Sequence, residues 1–148
     1  MAATSVQFAV ATHIMAALGF RYGEEVTSKM LATSVKAEPT FIRKSLSKLA
    51  KAGLVVTKRG KNGASGLARP PAEITLRDIY LASEAPGVFG VHSYPIEAAC
   101  PVSVNISECM AGIQAATQHS IEAALAEITL AKLIGDIQDR IAKTKIAR

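Results

Sequence analysis

A chain of 148 residues that is 49% hydrophobic and 20% charged carries enough apolar material for a packed core, so a disordered chain is excluded. No run reaches the ~20 apolar residues that cross a bilayer, and with 5% aromatics and no Trp the core falls to Ala, Leu, Ile and Val, which suits helices better than an all-β sandwich. Residues 1–69 hold 11 Lys/Arg against 3 Asp/Glu (net +8) and residues 70–148 hold 6 against 9 (net −3), so the first half points to a polyanionic partner.

Residues 5–19 read as a first helix, with Val6, Val10, Ile14 and Leu18 recurring every four residues and Gly19 and Gly23 bracketing its end. This apolar start lacks a positively charged leader and is interrupted by His13. A signal peptide is therefore not expected, and the protein is expected in the reducing cytoplasm with its two cysteines as thiols. His13 flanks the stripe and reads as a satisfied core histidine.

A second helix is expected from about Ser28 to Ser34, capped by Thr27. The stretch Lys36-Ala37-Glu38-Pro39 breaks it, because proline cannot continue a helix but can begin one. A third helix then runs from about Pro39 to Ala52 and stops at Gly53. Ile42, Leu46 and Leu49 face inward, while Thr40, Arg43, Lys44 and Ser47 fall at i, i+3, i+4 and i+7 and share the opposite face, flanked by Lys48 and Lys51. Two short helices with a tight break, the second polar and basic outside, meet the requirements of a helix-turn-helix, and Ser28 at the start of the first joins the DNA-facing set.

Leu54 to Lys58 reads as a strand, followed by a glycine-rich tip from Arg59 to Gly66 and a return through Leu67-Ala68. A basic hairpin directly after a recognition helix reads as a wing, with Arg59 placed to reach a minor groove and Lys58 and Lys61 to reach phosphates. No Gly-Lys-Ser/Thr follows the glycines, so the tip is not a nucleotide-binding P-loop. Thr75 and Asp78 begin another helix with a capping-box pattern. The loop-like stretch Ala85–Ala99, with Pro86, Gly87, Gly90 and Pro95, then divides the chain into a DNA-binding unit at 1–84 and a linker with dimerisation helices at 85–148.

From Pro101, Val102, Ile106, Met110, Ile113, Thr117, Ile121, Ala124 and Ile128 are spaced as the seam of a helix packing along another helix. At ~1.5 Å per residue such a helix is too long to bury its seam against so small a domain. A homodimer held by Ile106, Met110, Ile113, Ile121 and Ile128 is the expected solution; a bundle within one chain is the alternative. A short last helix, Leu130 to Ile141, should end in a frayed basic tail.

Cys100 precedes the proline that opens the long helix, where the positive end of the helix dipole favours a thiolate. It reads either as a redox or electrophile sensor, with His92 of the linker within reach, or as a structural cap. Cys109 lies nine residues on, roughly 13 Å along a helix, too far for a disulfide, and reads as a small buried hydrophobe. His119 reads as solvated, and no metal-ligand spacing emerges.

The whole resembles the Rrf-two family of winged helix-turn-helix transcription regulators. The resemblance is carried by Ser5 to Val10, by Phe41-Ile42-Arg43-Lys44 through Lys51-Ala52-Gly53-Leu54-Val55, and by the wing from Arg59 to Ala68. It continues in Arg69-Pro70-Pro71-Ala72-Glu73-Ile74-Thr75-Leu76 and Cys100-Pro101-Val102. Gly63-Ala64-Ser65 and Phe89-Gly90-Val91-His92 place the chain with a branch that lacks the three-cysteine iron–sulfur motif. The resemblance implies a mostly α fold with a small β-hairpin wing and a long C-terminal dimerisation helix. It also implies DNA reading through Thr40, Arg43, Lys44 and Arg59. With Cys100 and Cys109 alone, no iron–sulfur cluster and no other cofactor is expected.

The expected function is therefore a dimeric, sequence-specific regulator of double-stranded DNA, a repressor responsive through Cys100, with its effector unidentified. The competing reading is a winged-helix scaffold that docks on proteins and never meets DNA. An enzyme is not expected, because no group that would orient a Cys–His pair is visible.

Overall fold

The computed structural model describes residues 5–58 and 63–147. Six helices and a small sheet follow in the order α1 (Gln7–Phe20), β1 (Val26–Thr27), α2 (Ser28–Val35), α3 (Pro39–Lys51), β2 (Val55–Thr57), β3 (Ala64–Leu67), a 3₁₀ turn (Pro71–Glu73), α4 (Leu76–Ala82), α5 (Pro101–Ala126) and α6 (Leu130–Ile146). This is a winged helix-turn-helix followed by a long C-terminal helix.

Each break has a local cause. Thr27 caps α2 by accepting the Met30 N–H at 3.2 Å. Lys36 closes α2 in the left-handed region, with φ 57°, and Pro39 opens α3 in its first turn. Gly53, at φ 76°, turns the chain from α3 into β2. The capping box at α4 is complete: Thr75 Oγ1 accepts the Asp78 N–H, and the Asp78 carboxylate accepts the Thr75 N–H.

The sheet is antiparallel in the order β1-β3-β2, with Val55 opposite Leu67 and Val26 opposite Ser65. β1 was not expected: two residues are too few to show a period-2 pattern, and tertiary pairing alone creates the strand.

α1 is the centre of the molecule rather than a helix with one stripe. Ala11, Ile14, Met15, Ala16, Leu18 and Gly19 are buried, whereas Val6, the first residue of the expected stripe, precedes the helix and is exposed. Around it pack Leu31, Ile42, Leu49, Leu54, Ile74 and Ile79, each all but fully buried and each contributing about 1.5–3 kcal/mol. Leu130 and Ile134 of α6 join this same core. α6 is longer than expected and continues to Ile146; its last residues are exposed, with Lys143 and Lys145 in the final turn complementing the helix dipole.

α5 differs from every other helix in having no buried residue along its 26 residues. It ends at Ala126, so Ile128, expected to close the seam, sits in the turn before α6 instead. That turn is fixed to the start of α4. The Leu76 N–H donates to the Ile128 carbonyl at 2.8 Å, the Leu130 N–H donates to the Ile74 carbonyl at 2.8 Å, and Thr75 bridges Thr129.

Candidate nucleic-acid interface

α3 is amphipathic, and its inward row of Ile42, Leu46 and Leu49 fixes which side faces out. Thr40, Arg43, Lys44 and Ser47 are all exposed on the outer side. Among the described residues, neither Arg43 nor Lys44 has a carboxylate partner, so both cations are available to an incoming anion. Lys48 differs: its ammonium lies 3.5 Å from Glu84, just past the carboxyl end of α4. Ser28, in the first turn of α2, is half-buried.

On the wing, Lys58 is exposed and lies 3.3 Å from Glu25. Both groups are solvated, so the pair is worth little and can yield to a phosphate. Arg59 and Lys61 lie outside the described residues. Arg69 reaches Asp78 at 3.5 Å, which places the foot of the wing against the α4 cap.

α4 and the linker meet α5 through polar contacts that the sequence reading missed. Gln118 Nε2 donates to the Tyr80 hydroxyl at 2.8 Å and to Glu122 at 3.3 Å, and Arg77 lies 3.6 Å from Glu122. Gln114 donates to the Phe89 carbonyl of the linker. Tyr80 in turn meets Phe8 edge to face, at 5.3 Å between ring centres. The signal was present as Gln114, Gln118 and Glu122 at i, i+4 and i+8, a polar row beside the apolar one. The apolar row itself remains uncovered, with Val102 66% and Ile113 53% exposed, and Ile106, Met110 and Ile121 half-covered.

Cys100 caps α5. It is half-buried, and its Sγ accepts the Ser103 N–H at 3.5 Å. Cys109 is exposed in the chain, not buried as expected, because α5 has nothing packed over that side. The His92 ring is exposed and lies against Tyr94, 5.4 Å between centres, and no hydrogen bond joins it to Cys100 among the described residues. His13 is also exposed rather than part of the core: its Nε2 lies 3.0 Å from Ser34 Oγ and links α1 to α2. No described helix is long and apolar enough to cross a membrane.

Comparison with known proteins fits this architecture. The family model for Rrf2, an iron-dependent transcriptional regulator, matches residues 4–136. YwnA of Bacillus subtilis, described as an HTH-type transcriptional regulator, is 32% identical over 125 residues, covering 84% of this chain and 91% of that protein. A crystal structure described as a transcriptional regulator from Lactobacillus plantarum superposes with a TM-score of 0.78 at 27% identity, covering 97% of this chain and 99% of the other. The cysteine regulator CymR of B. subtilis shares the fold, with a TM-score of 0.63 at 23% identity over 91% of this chain and 98% of that one.

The iron in the family description does not fit the residues present. The chain has two cysteines, nine residues apart on one helix; one accepts a backbone N–H and the other is exposed. Among the described residues, no three His, Cys, Asp or Glu side chains converge as a metal site requires. Family members regulate transcription and are not enzymes. With a recognition helix, a wing and a long carboxyl-terminal helix in the family's order, and the family match spanning residues 4–136, this chain belongs to the Rrf2 family of transcriptional regulators.

Proposed function

We propose that the protein is a homodimeric, sequence-specific repressor that reads duplex DNA in the cytoplasm. Residues 1–84 form the reading unit. Residues 85–148 form the linker and dimer arm, whose last helix is anchored on the reading unit through Leu130 and Ile134. The observation that carries the reading is the exposed face of α3, where Arg43 and Lys44, between Thr40 and Ser47, have no carboxylate partner among the described residues. Such a helix enters a major groove with arginine and lysine directed at guanine edges or phosphates. Ser28, at the start of α2, and Lys58 on the wing address the flanking phosphates, and Arg59 and Lys61 are given the same role from the sequence alone.

The dimer is supported by the uncovered apolar row on α5. Ile106, Met110, Ile113 and Ile121 gain burial when a second copy lays the same row against them, and Ile128 extends the contact past the helix end. Two-fold symmetry then presents two recognition helices to a palindromic site, and occupancy of that site blocks transcription. Cys100 supplies the response. Its Sγ is part of the α5 cap, so an adduct there removes the cap and disturbs the linker that carries His92.

Selection of bound sequences from a random duplex pool, with reduced and thiol-modified protein, tests the reading. A palindromic consensus bound with steep salt dependence, and lost on modification, is the expected result. Equal, salt-insensitive retention of all duplexes would leave a protein-docking scaffold.

A further inference from the structure

α1, α2 and α6 enclose a groove of about 320 Å³, away from the outer face of α3. Its walls are apolar, built on Phe20, Met30, Leu31 and Ile141, and Phe20, Met30 and Ile141 are exposed there although nothing in the fold covers them. Three polar side chains converge on it: His13 and Ser34, 3.0 Å apart, and Arg21. Among the described residues, no carboxylate lines the groove. Arg21 contacts Glu24 at 3.5 Å, but with both side chains more than half exposed that pair competes weakly with a ligand. By contrast, the similar-sized cavity between α4 and α5 has Glu84 and Glu122 on its walls, and both already hold cations.

An apolar groove with a few convergent polar groups is the usual form of a small-molecule site. Here every ionisable group on the wall is basic, so charge complementarity selects the ligand class. We propose that the groove binds a small amphipathic carboxylate, with its hydrocarbon or aryl part on Phe20, Met30 and Ile141 and its carboxylate toward Arg21 and His13. The ligand would touch both the first helix of the helix-turn-helix and the helix that returns from the dimer arm. It would therefore bias the angle between them. This coupling rests on the DNA-reading function proposed above; the binding does not.

Calorimetric titration of the full chain with octanoate, octanol and octylamine tests the site. Octanoate should bind, octanol more weakly, and octylamine not at all. Arg21→Gln, at an exposed position that leaves the core intact, should weaken octanoate about tenfold. Ala17→Leu, which fills the groove, should abolish binding, with the circular dichroism spectrum reporting that the variant folds. Octylamine binding as well as octanoate, or octanoate binding unchanged in both variants, overturns the proposal. So does Ile141→Asp converting a dimer to a monomer by sedimentation, since a second copy would then own the groove. A duplex gel shift with and without octanoate reads the coupling separately. Octanoate bound with no DNA retained under any condition refutes the DNA reading and leaves the site standing.

Discussion

The amide of Gln118, in the middle of α5, donates to the hydroxyl of Tyr80 in α4 at 2.8 Å, and the two residues are 38 positions apart in sequence. With Arg77 and Glu122 beside it, this is where the long helix is attached to the DNA-reading unit. Tyr80→Phe and Gln118→Ala should each lower stability by about 1 kcal/mol, and the double variant should lose less than the sum. Urea denaturation of the four-member cycle measures this. Strict additivity would mean the bond contributes nothing.

Ile113 stands in the middle of the expected seam on α5 and is 53% exposed. Ile113→Asp places a charge in the proposed interface and should yield monomers by sedimentation velocity, with loss of tight operator binding. An unchanged dimer would move the interface elsewhere.

Arg43 and Lys51 are both exposed on α3, but Arg43 lies in its amino-terminal half, the part of a recognition helix that meets base edges, whereas Lys51 is its last residue. Arg43→Ala should cost about 1–3 kcal/mol on the selected site and relax its sequence preference. Lys51→Ala should weaken all duplexes alike and reduce the salt slope by about one. Identical behaviour of the two variants on selected and random DNA would refute this docking.

Cys109 is exposed and Cys100 half-buried, so a bulky maleimide should label Cys109 readily and without consequence. Modification of Cys100 removes the acceptor for the Ser103 N–H and should weaken DNA binding. Cys100→Ser, which keeps a capping oxygen, should bind DNA normally and ignore the reagent. Mass spectrometry paired with gel shifts checks this, and loss of affinity tracking Cys109 would reverse the assignment.

At Gly19, α1 comes close to α6: a Cβ there would overlap Cδ1 of Ile134. Gly19→Ala pushes the end of the Ile134 side chain aside, and after the helix-propensity gain of about 0.5–1 kcal/mol a net loss of about 1 kcal/mol is expected. Ile134→Val removes the colliding carbon and should recover most of that loss, as read from thermal melts of both variants.

How much of this was legible beforehand depends on whether a residue's role is local. Thr27, Pro39, Gly53 and the Thr75–Asp78 box act on neighbours within four positions, and they marked the helix boundaries in the sequence. The outer face of α3 followed from periodicity alone. β1 did not, because Val26 and Thr27 become a strand only by pairing with Ala64 and Ser65. His13 and Cys109 were assigned to the interior from their own helices, and their exposure depends on what other elements leave uncovered. The same holds for the Arg21 groove, whose walls come from three helices distant in sequence.

The junction of Ile128 and Leu130 with Leu76 and Ile74 gives α5 a mechanical character. Two backbone bonds hold its carboxyl end to the start of α4, and Gln118 holds its middle. Toward its amino end, the hydrogen bonds among the described residues run to the linker and within the helix itself. α5 is thus a cantilever. A rod clamped at one end deflects most at its tip, and the tip carries Cys100.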